Sequence, residues 1–144
     1  MAPDDLFRIA NLVALCGWLV LLASPLIGRW ADRIAGFGLP LLLAVLYTGL
    51  ILAFWSRGEG GFSTLKDVMR LLSTPELALA GWIHYLAFDL FIGGWQVRTA
   101  RTESIPFALV VPCLFLTFLF GPAGLLAFAA IRAARGSTAM PAQR

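Results

Sequence analysis

Four apolar runs dominate this chain, at about residues 6–27, 36–55, 75–97 and 105–131. A hydrocarbon core about 30 Å thick asks for roughly 20 such residues per helix. Inside it no water receives backbone polar groups, so each run must pair its own N–H and C=O groups as a helix. The expected fold is therefore all-α, an integral membrane bundle of four transmembrane helices forming one membrane domain over residues 1–144. Composition agrees. Hydrophobic residues make up 60% and charged residues 13%, against about a quarter charged in a soluble domain.

The connections refine this picture. "SPLIGRWADR" reads as a short turn, so the first two spans form an antiparallel hairpin. In the only long polar connection, Leu65, Val68, Met69 and Leu72 recur at helical spacing, and Thr64 with Asp67 three residues on fits a capping box. An amphipathic helix lying in the membrane interface over about 64–72 is preferred to a plain solvated loop. Thr74 and Pro75 suit the start of the third span. In the fourth, Pro112 and Pro122 each remove a hydrogen bond, freeing the carbonyls of Ala108 and Phe118, so a bend is expected there, with the carbonyls met inside the bundle. Residues 133–144 read as a flexible tail.

An even number of spans puts both termini on one side. That side would carry Arg8, Arg57, Lys66, Arg70, Arg132, Arg135 and Arg144, against Arg29, Arg33, Arg98 and Arg101 opposite. The positive-inside rule then makes the termini cytoplasmic. These basic residues are scattered singly beside apolar segments, where they meet lipid headgroups; no basic stripe invites nucleic acid. Cys16 and Cys113 fall within apolar runs and read as small buried hydrophobes. The start, "MAPDDLFRIANLVALCGW", is acidic where a secretory signal would be basic, so the first span is expected to stay in the mature protein.

Chemistry concentrates in "GWIHYLAFDLFIGGW", residues 81–95, which holds the only histidine and a carboxylate near mid-span. An ionisable group there costs roughly 2.5–3.5 kcal/mol on insertion scales and normally turns inward to a partner. At about 100° per residue, Trp82, Tyr85, Asp89, Gly93 and Gln96 fall on one stripe, while His84 lies roughly 140° from Asp89 with Phe88 and Phe91. Asn11, Tyr47, Thr48 and Thr117 are candidates to face that stripe from neighbouring spans. Two accounts remain open: a satisfied polar network that fixes helix packing, or the lining of a site for an apolar ligand. One histidine and one buried carboxylate cannot supply a zinc site within a monomer, and "GEGG" lacks the lysine and context of a phosphate loop.

The segment "HYLAFDLF", with "PCL", "LTFLFGP" and "GLL" further on, resembles the ABA4-like family of small membrane proteins over about residues 6–131. Plant members act in xanthophyll metabolism, where violaxanthin becomes neoxanthin by epoxide opening coupled to allene formation. The resemblance implies a carotenoid or other apolar isoprenoid as partner within the lipid, and an isomerisation that in principle needs no metal or redox cofactor. It casts Asp89 and His84 as the acid–base pair, with Trp82, Tyr85, Gln96, Gly93, Thr117 and Asn11 around the substrate. The absence of a transit peptide makes the chain look like a bacterial member, located in the inner membrane. Two other classes stand beside this one: a non-catalytic carotenoid- or quinone-binding protein, and a small structural subunit of a larger membrane complex or homo-oligomer.

Overall fold

The computed structural model describes residues 2–138. Of these 87% are helical, and there are no strands among the described residues. The order is α1 (Pro3–Leu22), α2 (Ser24–Ile27), α3 (Arg29–Arg33), a π-helix (Ile34–Gly38), α4 (Leu39–Phe54), a 3₁₀ turn (Trp55–Arg57), α5 (Leu65–Leu71), α6 (Pro75–Thr102), α7 (Phe107–Phe120) and α8 (Pro122–Thr138). Among the described residues, three stretches are long and apolar enough to cross a membrane: Pro3–Leu22, Arg29–Arg57 and Pro75–Thr102; Phe107–Phe120 is apolar but shorter.

The axis is α6, and α1 and α4 both lie along it. Small residues set how closely they approach. A Cβ built on Gly94 would stand 2.5 Å from the Cα of Gly36, so α6 and the π-helix meet backbone to backbone there. Leu90, fully buried, fills the space beside Gly17. α1 runs parallel to α6, since Pro3 and Phe7 share a hollow with Pro75 and Trp82. α4 runs antiparallel, with Phe37 near Phe91 and Tyr47 near His84. The bundle thus has a near end, holding Pro3 and Pro75, and a far end, holding Ile27 and Thr102.

The fourth apolar run departs most from its expectation. It does not cross as one bent helix. α7 leaves the far end and runs down α6 until Gly121 reaches Asp89, about the midpoint of α6. α8 then doubles back. The Gln96 side-chain amide donates to the Gly124 carbonyl (3.1 Å), Phe128 meets the edge of Trp95 at 5.4 Å, and Arg132 is bonded to Glu103 beyond the end of α6. The reversal has a local cause in the Gly-Pro pair. Gly121 adopts φ 21°, ψ −82°, which strains any residue with a Cβ, and Pro122 takes the first turn of α8, where no N–H is needed. Gly124 lets α7 and α8 touch, since a Cβ there would overlap Thr117 Oγ1 and the Thr117 backbone nitrogen.

Several boundaries shift with this. The α1–α4 connection is two short helices, not a simple turn. α6 runs to Thr102, five residues past the expected 97. α8 continues to Thr138, so the part of the expected tail through 138 is helical, and the remainder lies outside the described residues. Because α8 returns to the far end, it finishes opposite the end at which α1 starts, and the common side expected for the termini does not follow. The capping box does form: Thr64 Oγ1 accepts from the Asp67 N–H (3.2 Å) and donates to Asp67 Oδ2 (2.7 Å), opening α5. α5 is anchored by buried Leu71, while Leu65, Met69 and Leu72 of the expected apolar stripe are exposed.

Candidate functional site

A helix reversal at mid-height of a bundle whose helices are long and apolar enough to cross a membrane leaves backbone groups that lipid could not receive. The polar stripe of α6 lies against it. Tyr85 donates its hydroxyl hydrogen to the Leu119 carbonyl at 3.1 Å, with the Phe118 carbonyl at 3.5 Å. The carbonyl that Pro122 frees is thus met from inside the bundle, as its position in the sequence suggests. Three turns beyond Tyr85, fully buried Gln96 donates its amide hydrogens to Thr117 Oγ1 (2.9 Å) and to the Gly124 carbonyl. Thr117 also back-bonds the Cys113 carbonyl at 2.8 Å. Gln96 and Thr117, read as substrate contacts, form a closed lock between α6, α7 and α8.

Asp89 lies between these two. It is 9% exposed, its carboxylate is against Gly121, and its Oδ2 is buried with no hydrogen-bond partner. A Cβ on Gly121 would stand 3.0 Å from the carboxylate carbon. The group faces the start of α8, where helix N–H groups carry partial positive charge.

The other candidate residues separate into three places. His84 is exposed on the opposite flank of α6, its ring 4.6 Å from Phe88 and 5.6 Å from Tyr47. The two sides of a shared pocket that His84 and Asp89 could have lined are not brought together: the His84 ring packs with Tyr47 and Phe88, and the Asp89 carboxylate lies against Gly121. Gly93 is occupied: a Cβ there would lie 2.8 Å from the Trp18 ring, so this glycine admits a tryptophan and leaves no room for a ligand ring. Gly94 is likewise closed, by Gly36. Among the described residues, the space expected beside these two glycines is thus filled by Trp18 and by the backbone of Gly36. Tyr47 stays with His84, and Thr48 bonds within its own helix to the Ala44 carbonyl at 2.8 Å.

Trp82, Tyr85 and Asn11 do belong together. Trp82 stacks on Tyr85 at 5.4 Å and lies 5.8 Å from Phe7, and its indole N–H donates to Asn11 Oδ1 at 3.2 Å. Since α7 and α8 stop at mid-height, this aromatic ladder between α1 and α6 stays partly open; Trp82 is 41% exposed. It runs from a hollow of about 260 Å³ at the near end, beside Pro3 and Pro75, towards Asp89. Trp18 and Gly121 are the residues that sequence reasoning missed. Trp18 sits edge-on to Phe118 at 5.6 Å and closes the far side of the tip. Gly121 was legible as half of a Gly-Pro turn signal.

No curated protein and no solved structure matches the chain. The family model described as ABA DEFICIENT 4-like matches residues 5–128, which run from the first turn of α1 into the first half of α8 and hold every residue of the ladder and the tip. It does not bear out a bacterial origin. With that match covering most of its length, the chain belongs to the ABA4-like family.

Proposed function

We propose that this protein is an integral membrane protein that holds a carotenoid or related isoprenoid along the Phe7–Trp82–Tyr85 ladder, with its oxygenated end group against Asp89. The observation that carries this reading is the buried Asp89 oxygen with no partner, at the head of an aromatic groove and beside a break in backbone pairing. A ladder of ring faces suits a polyene, and Asn11 and Tyr85 add polar contacts at intervals. For an epoxide end group the chemistry is an internal proton shift. The acid form of Asp89 gives its proton to the epoxide oxygen as the C–O bond breaks. The resulting carboxylate then takes a proton from carbon as the new double bond forms, so the group ends as it began. This single-group route replaces the Asp89–His84 pair, because His84 lies on another flank.

A second reading has its own support. Asp89 faces the N-terminus of α8, where a negative charge is favoured, so the carboxylate balances the helix end and the protein binds its isoprenoid without changing it. Pigment extraction from cells with and without the gene separates the two. Conversion of one carotenoid into another that Asp89→Asn abolishes and His84→Phe retains supports catalysis. A bound pigment in the purified protein with no conversion in either strain supports the binder.

Within the bilayer this reading has α1, α4 and α6 crossing, the α7–α8 hairpin entering to mid-depth, and α5 lying in the interface with Leu65, Met69 and Leu72 in the lipid. The far end carries Arg29, Arg33, Arg98, Arg101, Arg132 and Arg135, the near end Arg8, Arg57, Lys66 and Arg70. The positive-inside rule thus favours the far end as cytoplasmic and the N-terminus as external. A cysteine introduced at Ala2 should react with an impermeant reagent from outside and one at Ser104 only after permeabilisation. Equal labelling of both from one side would remove the three crossings that precede residue 104, and a cysteine at Ala134 labelled from the side opposite to Ser104 would remove the half-depth hairpin from this reading.

A further inference from the structure

On the flank of α6 away from Asp89, a second groove of about 230 Å³ runs between α4 and α6, lined by apolar side chains that include Phe37, Leu41, Ala44, Phe88 and Phe91. Its far end is closed by Arg98. The guanidinium carbon stands 4.6 Å from the centre of the Phe37 ring and 5.9 Å from that of Phe91, so both aromatic walls hold the cation from its faces. Its Nη1 is buried where Gly36 has no side chain: a Cβ at that position would come within 2.5 Å. Any other residue at 36 would push the guanidinium out of this seat.

The charge so fixed is not neutralised. Nη1 has no hydrogen-bond partner, and Arg98 forms no ion pair among the described residues. Of the carboxylates near this end, Glu103 is paired with Arg132, and Asp32 gives Oδ2 to Arg101 at 2.7 Å while its buried Oδ1 makes no hydrogen bond and forms no ion pair with Arg98. The arrangement is an apolar channel of chain width, open to lipid and headed at the membrane surface by a half-exposed, pre-oriented cation. Arginine suits phosphate because its donors are rigidly spread.

We propose that the α4–α6 groove is a binding site for an anionic phospholipid, with one acyl chain along Leu41, Ala44 and Phe88 and the headgroup phosphate on the exposed edge of Arg98. The site lies on a different flank from the Asp89 ladder and does not depend on the function proposed for it. A cation with one edge buried and no carboxylate partner is costly in lipid, and a phosphate on its exposed edge lowers that cost; a zwitterionic lipid carries its own competing ammonium.

Native mass spectrometry of the intact protein, released from nanodiscs of mixed phosphatidylglycerol and phosphatidylcholine, tests this directly. The wild type should retain phosphatidylglycerol about fivefold over phosphatidylcholine, the ratio expected for one basic residue near an anionic surface. Arg98→Gln should erase the preference, and Arg29→Gln, at an exposed cation of the same end, should keep most of it. If Arg98→Gln does not fold, Ala44→Trp, which fills the channel and leaves the cation, should lower retention of phosphatidylglycerol. Equal retention of both lipids by the wild type, an undiminished preference in Arg98→Gln, or an undiminished retention of phosphatidylglycerol in Ala44→Trp would overturn the proposal.

Discussion

Gln96 and Asp89 occupy the same stripe of α6, two turns apart, and both are buried against the α7–α8 hairpin. Gln96 is paired through its amide hydrogens, to a hydroxyl of α7 and a carbonyl of α8. Asp89 has an oxygen with no partner at all. The difference separates two uses of a polar side chain in lipid. A satisfied group ties helices together, and its removal strands the partners. An unsatisfied one gives up stability, and that sacrifice is explained by something the group must meet or do. The same contrast divides the two halves of α6. Towards the far end it is wrapped by α1, the π-helix, α7 and α8; towards the near end α1 and α4 cover it, with Leu72 after α5 reaching Gly81, and Trp82 is left open.

The largest effect expected is the one that removes the hairpin from this comparison. In Gly124→Ala the new methyl would overlap Thr117 Oγ1 and backbone atoms of Thr117 and Cys113, none of which yields as a flexible side-chain end does. Overpacking of this kind costs about 1–3 kcal/mol and occasionally more. Thermal unfolding in detergent should show a fall in Tm larger than for either substitution below. An unchanged Tm would mean that α7 and α8 do not pack as a hairpin.

Next comes the direct contest between the two polar residues. Gln96→Leu leaves the Gly124 carbonyl without its donor and the Thr117 hydroxyl with only the Cys113 carbonyl, a loss of about 1–3 kcal/mol. Asp89→Leu removes a group whose Oδ2 has no partner to lose, so its stability should stay within about 1 kcal/mol of wild type or rise. Function should move the other way, with pigment conversion or binding lost in the Asp89 variant. Equal destabilisation by the two would return Asp89 to an architectural role.

The sequence exposed the helical class and the membrane-length runs because hydropathy acts through length alone, and it exposed the Asp89 stripe because α6 is a long regular helix whose angles can be counted. The capping box at Thr64 was legible for the same reason, being a local hydrogen-bond pattern. What stayed hidden depends on tertiary direction. A Gly-Pro pair inside an apolar run announces a break but not its angle, and a kink that continues across the membrane and a reversal that returns have nearly the same residues. The angular separation of His84 from Asp89 was readable; the filling of Gly93 by Trp18 was not, since a glycine that admits a ligand and one that admits a neighbour's ring look alike in one dimension.

The smallest effect concerns how the hairpin is tied at the surface, far from the buried pair. Glu103 accepts two hydrogen bonds from the Arg132 guanidinium, linking the end of α6 to α8. Those hydrogen bonds, with Coulomb attraction in the same sense, hold the Glu103 carboxyl below its ordinary value, outweighing the opposing effect of desolvation. A carboxylate whose folded-state pKa is depressed adds stability above its unfolded-state pKa, and that stability is lost as the pH falls through the lowered folded-state value. The wild type should therefore be slightly more stable than Glu103→Gln at pH 7, with the gap closing only below the ordinary carboxylate range. Both ends of the pair are solvent-exposed, so salt should shrink the gap at neutral pH as well. The Gln96 and Gly124 effects, set in lipid away from ions, should be unmoved by the same salt. A gap at pH 7 that salt leaves intact, or one that widens in acid, would show that the tie between α6 and α8 is not this ion pair and that the buried Gln96 lock carries the hairpin alone.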